Sequence, residues 1–166
     1  MKRDSKLSGV LHILLHMAEA ELPMTSDALA KMMKTNPVVI RRMLAGLREQ
    51  GLVCSEKGHG GGWTLGRELA SISLYDIYSA LDEPTLLAMG NRTESPGCLV
   101  EQAVNSALNN TFGEAEALLL NCFRQVSLAQ LSADFHQRLQ ASGFSGQHTR
   151  GFLGEDDFPC KKGDKR

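Results

Sequence analysis

The sequence lacks the features of membrane and secreted proteins. No apolar run is long enough to span a bilayer, and the N-terminus has no signal-peptide core or cleavage site, so we expect a cytoplasmic location. The 166 residues suffice for one domain with a core, or for a small domain plus an oligomerisation element. Four cysteines lie far apart and form no CxxC pair, and we predict no metal site from them: Cys54, Cys98, Cys122 and Cys160.

Positive charge is scarce in the second half of the chain. Residues 68–142 carry three Lys and Arg against nine Asp and Glu, a net charge of −6. Residues 1–67 carry ten against six, a net charge of +4. A basic first half suits a polyanionic partner, whereas an acidic second half favours solubility or another role.

Residues 25–51 predict two short helices joined by a tight turn. Thr25 or Ser26 can cap the first helix, and Asn36 followed by Pro37 is typical of a second helix start. Gly51 ends the second helix. One predicted inward face carries Ala28, Leu29, Met32 and Met33 in the first helix, and the other carries Ile40, Met43, Leu44 and Leu47 in the second. That pattern leaves Val38, Arg41, Arg42 and Arg48 toward solvent. Two short helices with exposed arginines on the second are typical of proteins that reach base edges in the major groove. The alternative is that any small helical domain can contain a helix pair with an arginine face.

Residues 52–65 predict a β-hairpin, which we call the wing. Residues 52–55 form the first strand, the glycine-rich residues 57–62 the loop, and residues 63–65 the returning strand. Lys57 and His59 would lie at the tip. A phosphate-binding loop is disfavoured because the GKS or GKT ending and the following helix are missing.

Further helices flank this unit. The pattern before it predicts a helix from about residue 5 to residue 20, on which His12 and His16 lie four residues apart; without a third ligand nearby we interpret them as a surface pair. After it, Ser73 and Asp76 predict a capping box for a helix with a buried face at Leu74, Ile77, Tyr78 and Leu81.

A long helical pattern then runs from residue 96 to about residue 125. Its apolar residues fall close to a heptad repeat, so we predict a dimerisation helix: Leu108, Phe112, Ala115, Leu119, Cys122 and Val126. A last helix, capped by Ser127 and Gln130, would use Leu128, Leu131 and Phe135 for packing. The predicted organisation is a winged helix-turn-helix domain (1–83), a connector or candidate sensor loop (84–97), dimerisation helices (98–141) and a disordered tail (142–166).

The segments TNPVVIRRMLAGLREQGLV, KGHGGGWTL, SLYDIYSAL and PGCLVEQAV resemble the winged-helix repressor family that includes IscR, NsrR and CymR. The resemblance implies a mainly α fold with a small β-wing, a winged helix-turn-helix plus a long C-terminal dimerisation helix. It also implies a homodimer that binds double-stranded DNA, with the second helix in the major groove and the wing at the minor groove. The implied DNA-binding residues are Thr25, Ser26, Pro37, Val38, Arg41, Arg42, Lys57, His59, Gly60 and Gly61. Lys57 stands where many members have arginine. Lysine keeps the positive charge but lacks the planar, forked guanidinium group with which arginine contacts the minor groove.

The sequence departs from the cluster-binding members in its sensor. Those members have three closely spaced cysteines, whereas residues 84–97 contain none and Cys98 stands by itself. One thiolate does not hold an iron–sulfur cluster, so we predict no cofactor and the clusterless branch. If Ser95 caps the long helix, Cys98 falls in its first turn, where the helix dipole lowers a thiol pKa and favours sensing of an oxidant or small molecule. The alternative is that Cys98 only packs.

The sequence therefore predicts a dimeric, sequence-specific transcriptional regulator, a repressor that responds to thiol oxidation or a ligand through Cys98. The alternative is a protein-interaction module of the same fold that no longer binds DNA. An enzyme would need Cys98 paired with a histidine base, and no spacing supports that pair, so we predict no catalytic residues.

Overall fold

The computed structural model describes residues 5–87, 91 and 97–142. A single two-stranded antiparallel sheet accompanies six α-helices and one short 3-10 turn in this part of the chain. The elements in chain order are α1 (Lys6–Glu19), α2 (Ser26–Met32), α3 (Pro37–Glu49), β1 (Val53–Ser55), β2 (Trp63–Leu65), the 3-10 turn (Leu69–Ser71), α4 (Leu74–Ala80), α5 (Leu99–Gln125) and α6 (Leu128–Ala141). The predicted fold, mainly α with a small β-wing, is confirmed.

The core lies where α1, α3, α4 and the wing meet. The predicted inward face of α3 is fully buried at Ile40, Leu44 and Leu47, and Met43 packs against its edge. From α1, Val10 and Leu14 are fully buried. Apolar side chains from several elements thus share one core, whose removal from water is the main force holding a domain of this size together.

The inward face of α2 differs from the prediction. Leu29 is buried, but Ala30 takes the second buried position while Met32 is 39% exposed. The helix has only seven residues. A helix of two turns has too few apolar positions to define its buried face as firmly as a longer amphipathic helix does.

Capping boxes begin α4 and α6, and a backbone bridge joins the two helix starts. In α4 the Ser73 hydroxyl accepts from the Asp76 amide, and the Asp76 carboxylate accepts from the Ser73 amide. Ser127 and Gln130 form the same two reciprocal bonds at the start of α6. The two cap residues form an antiparallel bridge. Leu128, which follows the second cap, is fully buried in the core. Phe135 was expected to be packed but is 40% exposed.

The long helix α5 contains 27 residues, and Asn105 is its one buried residue. Its predicted heptad is divided between two faces. Phe112, Leu119 and Val126 are half-buried, whereas Ala115 and Cys122 are exposed. The half-buried side continues to Phe123, whose ring meets the edge of Tyr78 in α4 at a centroid distance of 5.9 Å. Part of the predicted dimer seam therefore packs on the helix's own chain.

The exposed apolar face of α5 shares Leu108, Ala115 and Cys122 with the predicted seam and otherwise lies to one side of it. Its members follow one another at intervals of three or four residues, so they lie in one line. We call this line the open stripe: Val100, Val104, Leu108, Thr111, Ala115, Leu118 and Cys122, all exposed. No helix in the described ranges is long and apolar enough to cross a membrane. The predicted tail beyond residue 142 and most of the predicted connector, at residues 88–90 and 92–96, lie outside the described residues.

Candidate nucleic-acid interface

The start of α3 is fixed by local chemistry. Asn36 is extended, and its Oδ1 accepts a hydrogen bond of 2.8 Å from the amide of Val38. Pro37 occupies the first turn, where its missing N–H costs no helical hydrogen bond. The cap and the proline were both predicted from the sequence, and together they set which way the first turn of α3 faces.

The outward face of α3 carries an apolar side chain and two guanidinium groups. Val38 is 54% exposed, and Arg41 and Arg42 are exposed as well. On the opposite face, Ile40 and Leu44 are fully buried. Because the buried face cannot turn outward without emptying the core, these three exposed side chains are held in a constant direction.

The two hydroxyls at the start of α2 have structural partners. Thr25 Oγ1 accepts from the amide of Ala28 at 3.2 Å and so caps the helix. Ser26 Oγ accepts from the indole Nε1 of Trp63 at 2.9 Å. Each hydroxyl keeps its own proton, which remains able to donate to an acceptor such as a phosphate oxygen.

Trp63 connects α2 to the wing, a role that the sequence analysis missed. Besides its indole bond to Ser26, its backbone exchanges two hydrogen bonds with Met24, at 2.8 and 3.0 Å. The side chain is 7% exposed. The signal available in the sequence was that the single tryptophan of the chain follows the glycine-rich loop.

The wing has the predicted strands and an exposed tip. β1 and β2 pair with Val53 opposite Leu65 and Ser55 opposite Trp63. Lys57, His59 and Gly60 are exposed at the tip, where Gly60 has a φ of +81° that suits glycine. Gly61 is half-buried, and a Cβ there would collide with the carbonyl of Glu56. The loop is therefore shaped by its glycines.

Arg48 contacts the wing rather than pointing only to solvent. Its Nη1 donates to Ser55 Oγ at 3.4 Å, so the end of α3 is tied to β1. Arg67 acts similarly at the base, since its Nη2 donates to the carbonyl of Gln50 at 2.6 Å. α2, α3 and the wing thus form one connected unit that presents Arg41, Arg42 and Lys57 on its surface.

Cys98 is the N-cap of α5 rather than a residue of its first turn. The helix begins at Leu99, three residues later than a cap at Ser95 would place it, and Ser95 itself lies outside the described residues. Cys98 and Cys122 are both exposed free thiols. The Cys98 side chain does not cap the helix by a hydrogen bond. Even so, the backbone N–H groups of Glu101 and Val100 favour the thiolate and lower the pKa of Cys98 below its ordinary value.

Proteins of known sequence and structure share this architecture. YwnA of Bacillus subtilis, a candidate HTH-type transcriptional regulator, is 30% identical over 125 residues, which cover 75% of this chain and 92% of YwnA. YffB of Lactococcus lactis, another candidate regulator of that type, is 31% identical over 143 residues, 80% of this chain and 87% of YffB.

Solved structures agree with the fold. A candidate transcriptional regulator from Lactobacillus plantarum matches with a TM-score of 0.65 and 26% identity, over 83% of this chain and 98% of that one. CymR of Bacillus subtilis, the global cysteine regulator, matches with a TM-score of 0.58 over 80% of this chain and 97% of CymR. At 21% identity, the likeness to CymR concerns the fold alone.

A protein-family model matches most of the chain. The model of the Rrf2 family, described as an iron-dependent transcriptional regulator, matches residues 3–134. That range runs from the start of α1 into α6 and includes the wing and the whole of α5. The homologous proteins are transcriptional regulators and not enzymes. The chain therefore belongs to the Rrf2 family of transcriptional regulators.

Proposed function

We propose that this protein is a dimeric, sequence-specific DNA-binding repressor in which α3 enters the major groove and the wing contacts the minor groove. The observation that carries the proposal is the outward face of α3, where Val38, Arg41 and Arg42 are exposed next to a helix start fixed by Asn36. Arginine can bind guanine by two parallel hydrogen bonds, and an apolar side chain can contact a thymine methyl group. This face therefore has the chemistry that direct reading of base edges needs.

The surrounding residues suit contacts with the DNA backbone. Thr25 and Ser26 each retain a hydroxyl proton, Pro37 leaves the first turn of α3 accessible, and Lys57 and His59 project from the wing tip. Gly60 and Gly61 let the wing backbone come close to a phosphate. Contacts of this kind set position and register, whereas α3 supplies the sequence preference.

The open stripe of α5 supports the homodimer. Among the described residues, apolar side chains of the stripe such as Val104 and Leu118 stay 50% and 66% exposed. A second copy of α5 presents the same surface, and two such stripes can bury each other in an isologous interface. A two-fold dimer would present two copies of α3, as a near-palindromic operator requires.

The thiol of Cys98 is the proposed sensor residue. Its side chain is accessible to an oxidant, and the adjacent backbone N–H groups lower its pKa, which increases the thiolate available at neutral pH. Its position at the first residue before α5 links oxidation there to the helix that we propose as the dimer interface. In this proposal the reduced dimer binds the operator and oxidation releases it.

We propose that the protein works without an iron–sulfur cluster. In the described ranges no three His, Cys, Asp or Glu side chains are arranged to hold a metal ion. The sequence of residues 84–97 contains no cysteine to join Cys98. A cluster needs about four ligands, most of them thiolates, and this donor set does not fit one. We also propose the division into residues 1–83, 84–97, 98–141 and 142–166 given by the sequence.

Selection of random duplex DNA with the purified full-length protein tests the proposal, run with and without a thiol reductant. We expect a near-palindromic motif to be enriched under reducing conditions and to weaken under oxidation. The same selection with Cys98→Ser separates the two parts of the proposal, since the variant should bind the motif under both conditions. Failure to enrich any motif in either condition would contradict the DNA-binding function and favour a protein-interaction module.

A further inference from the structure

A groove between α1 and α6 is lined by none of the residues proposed to contact DNA. Its volume is about 420 Å³, and its walls include Leu11, Leu15 and, from α6, Phe135. His12 and His16 line the same groove. Both imidazoles are exposed, so solutes reach them directly.

We propose that His12 and His16 form a two-nitrogen chelate for a divalent transition-metal ion, with Ni²⁺ and Cu²⁺ preferred to Zn²⁺. The two rings lie four residues apart on one helix, with their centroids 4.7 Å apart. Their Nε2 atoms are 2.8 Å apart. The Nε2 atoms are thus closer to each other than the ring centres are, so both lie within reach of a single ion.

The separation of the two nitrogens selects among the metals. With metal–nitrogen bonds of about 2.1 Å, two nitrogens 2.8 Å apart subtend roughly 85° at the ion. That angle is close to the right angle between neighbouring ligands in tetragonal and octahedral sites, which Cu²⁺ and Ni²⁺ favour. A tetrahedral Zn²⁺ site would need the nitrogens to move apart.

In the metal-free pair one imidazole donates its Nε2 proton to the other, because two lone pairs would repel at this distance. Metal binding requires both Nε2 lone pairs. The bridging proton then moves, through water, to Nδ1 of the ring that held it. Both rings stay neutral, and no oxidant or reductant takes part.

The remaining coordination positions belong to water. Glu19 lines the groove one turn beyond His16, but its Oε2 is 3.3 Å from His136 Nε2 of α6. Across residues 5–87, 91 and 97–142 no set of three ligands surrounds one point. Two imidazoles and several waters make an open site, which leaves room for a further small ligand on the ion.

Titration of Ni²⁺ into untagged, full-length, reduced protein tests the chelate by calorimetry and visible absorption. We expect one ion per chain with the weak absorption bands of nitrogen and oxygen ligation. His12→Gln and His16→Gln should each weaken binding at least tenfold. Both positions are exposed, so the variants should keep the wild-type helical content and unfolding midpoint. His59→Gln, which removes an exposed wing histidine, is the matched control and should bind as the wild type does.

Three results would overturn the chelate: absence of binding in the wild type, binding that persists at full strength in both variants, or intense sulfur-to-nickel bands, which would assign the ion to thiolates such as Cys98. Zn²⁺ binding tighter than Ni²⁺ binding would overturn the geometric preference. None of these outcomes bears on operator binding by α3, so the site and the proposed function are tested separately.

Discussion

The winged-helix part and α5 are stabilised in different ways. In α3, 13 residues long, three side chains are completely buried against neighbouring elements, whereas α5 has 27 residues and buries only Asn105. A long helix in water gains little from propensity by itself, and most helical stability in proteins comes from packing an apolar face. The winged-helix part thus holds its own core, while α5 leaves an apolar surface exposed in the part of the chain that the structure describes.

Charge follows the same division. The basic residues of the first 67 positions include the exposed Arg41, Arg42 and Lys57, and the acidic second half contains α5. A negatively charged helix is repelled by DNA, which agrees with the proposal that the basic region binds the polyanion and that α5 binds a second copy of the chain.

The largest effect is expected from charges placed on the open stripe. Replacing Val104 and Leu118 together with Asp would put a carboxylate at two points of the proposed interface, each costing roughly 2 kcal/mol or more when buried. We expect the dimer dissociation constant, measured by sedimentation, to rise at least a hundredfold. Asn110→Asp adds a charge on the other side of α5 and should leave it unchanged. A double variant that sediments like the wild type would mean that α5 is not covered in this way.

The next effect concerns the outward face of α3. Arg41→Ala with Arg42→Ala should lower operator affinity by at least about 30-fold, since each bidentate base contact is worth about 1–3 kcal/mol. Fluorescence anisotropy at fixed salt measures the change. Arg138→Ala, which removes an exposed arginine paired with Asp134 on α6, is the control and should have little effect. Equal losses in the two variants would indicate a response to net charge alone.

A glycine in the packed region should respond strongly to an added methyl group. A Cβ at Gly46 of α3 would collide with the carbonyl oxygen of Ala80 at the end of α4. Gly46→Ala should therefore reduce the free energy of unfolding by about 1–3 kcal/mol, the usual cost of overpacking. Urea denaturation at one protein concentration measures it. A neutral result would mean that α3 and α4 separate easily.

The corresponding glycine in α5 should respond in the opposite direction. Nothing lies within 4 Å of a Cβ added at Gly113. Gly113→Ala should raise the free energy of unfolding by about 1 kcal/mol, because alanine has the higher helix propensity. The same urea experiment provides the measurement. Destabilisation by this change would place Gly113 in a close helix contact and would extend the proposed interface beyond the open stripe.

Local sequence signals explain which elements could be predicted. Asn36 with Pro37, Ser73 with Asp76, and Ser127 with Gln130 each fix a helix start through atoms within three residues, and the structure has all three helices there. The outward direction of Arg41 and Arg42 followed from the spacing of the apolar residues alone. The brace formed by Trp63 and Ser26 spans 37 positions, and no local pattern contains it.

The α5 seam and the cap at Cys98 show where sequence patterns stop being sufficient. Apolar residues cover more than one line along α5, and a period of three to four fits several adjacent lines. The packing of α4 on α5, with Tyr78 against Phe123, selects one of these lines. Phe112 and Leu119 lie on the half-buried side of α5, whereas Val104 and Leu118 are exposed.

The sequence by itself determined the starts of α3, α4 and α6, the wing and the basic face of α3, because those depend on capping, glycine and periodic burial within short segments. The tertiary structure decided which side of α5 stays open and how Trp63 joins the wing to α2. It also decided that the Nε2 atoms of His12 and His16 meet at 2.8 Å. These features depend on how distant elements pack and on the rotamers that this packing selects, which residue order does not fix.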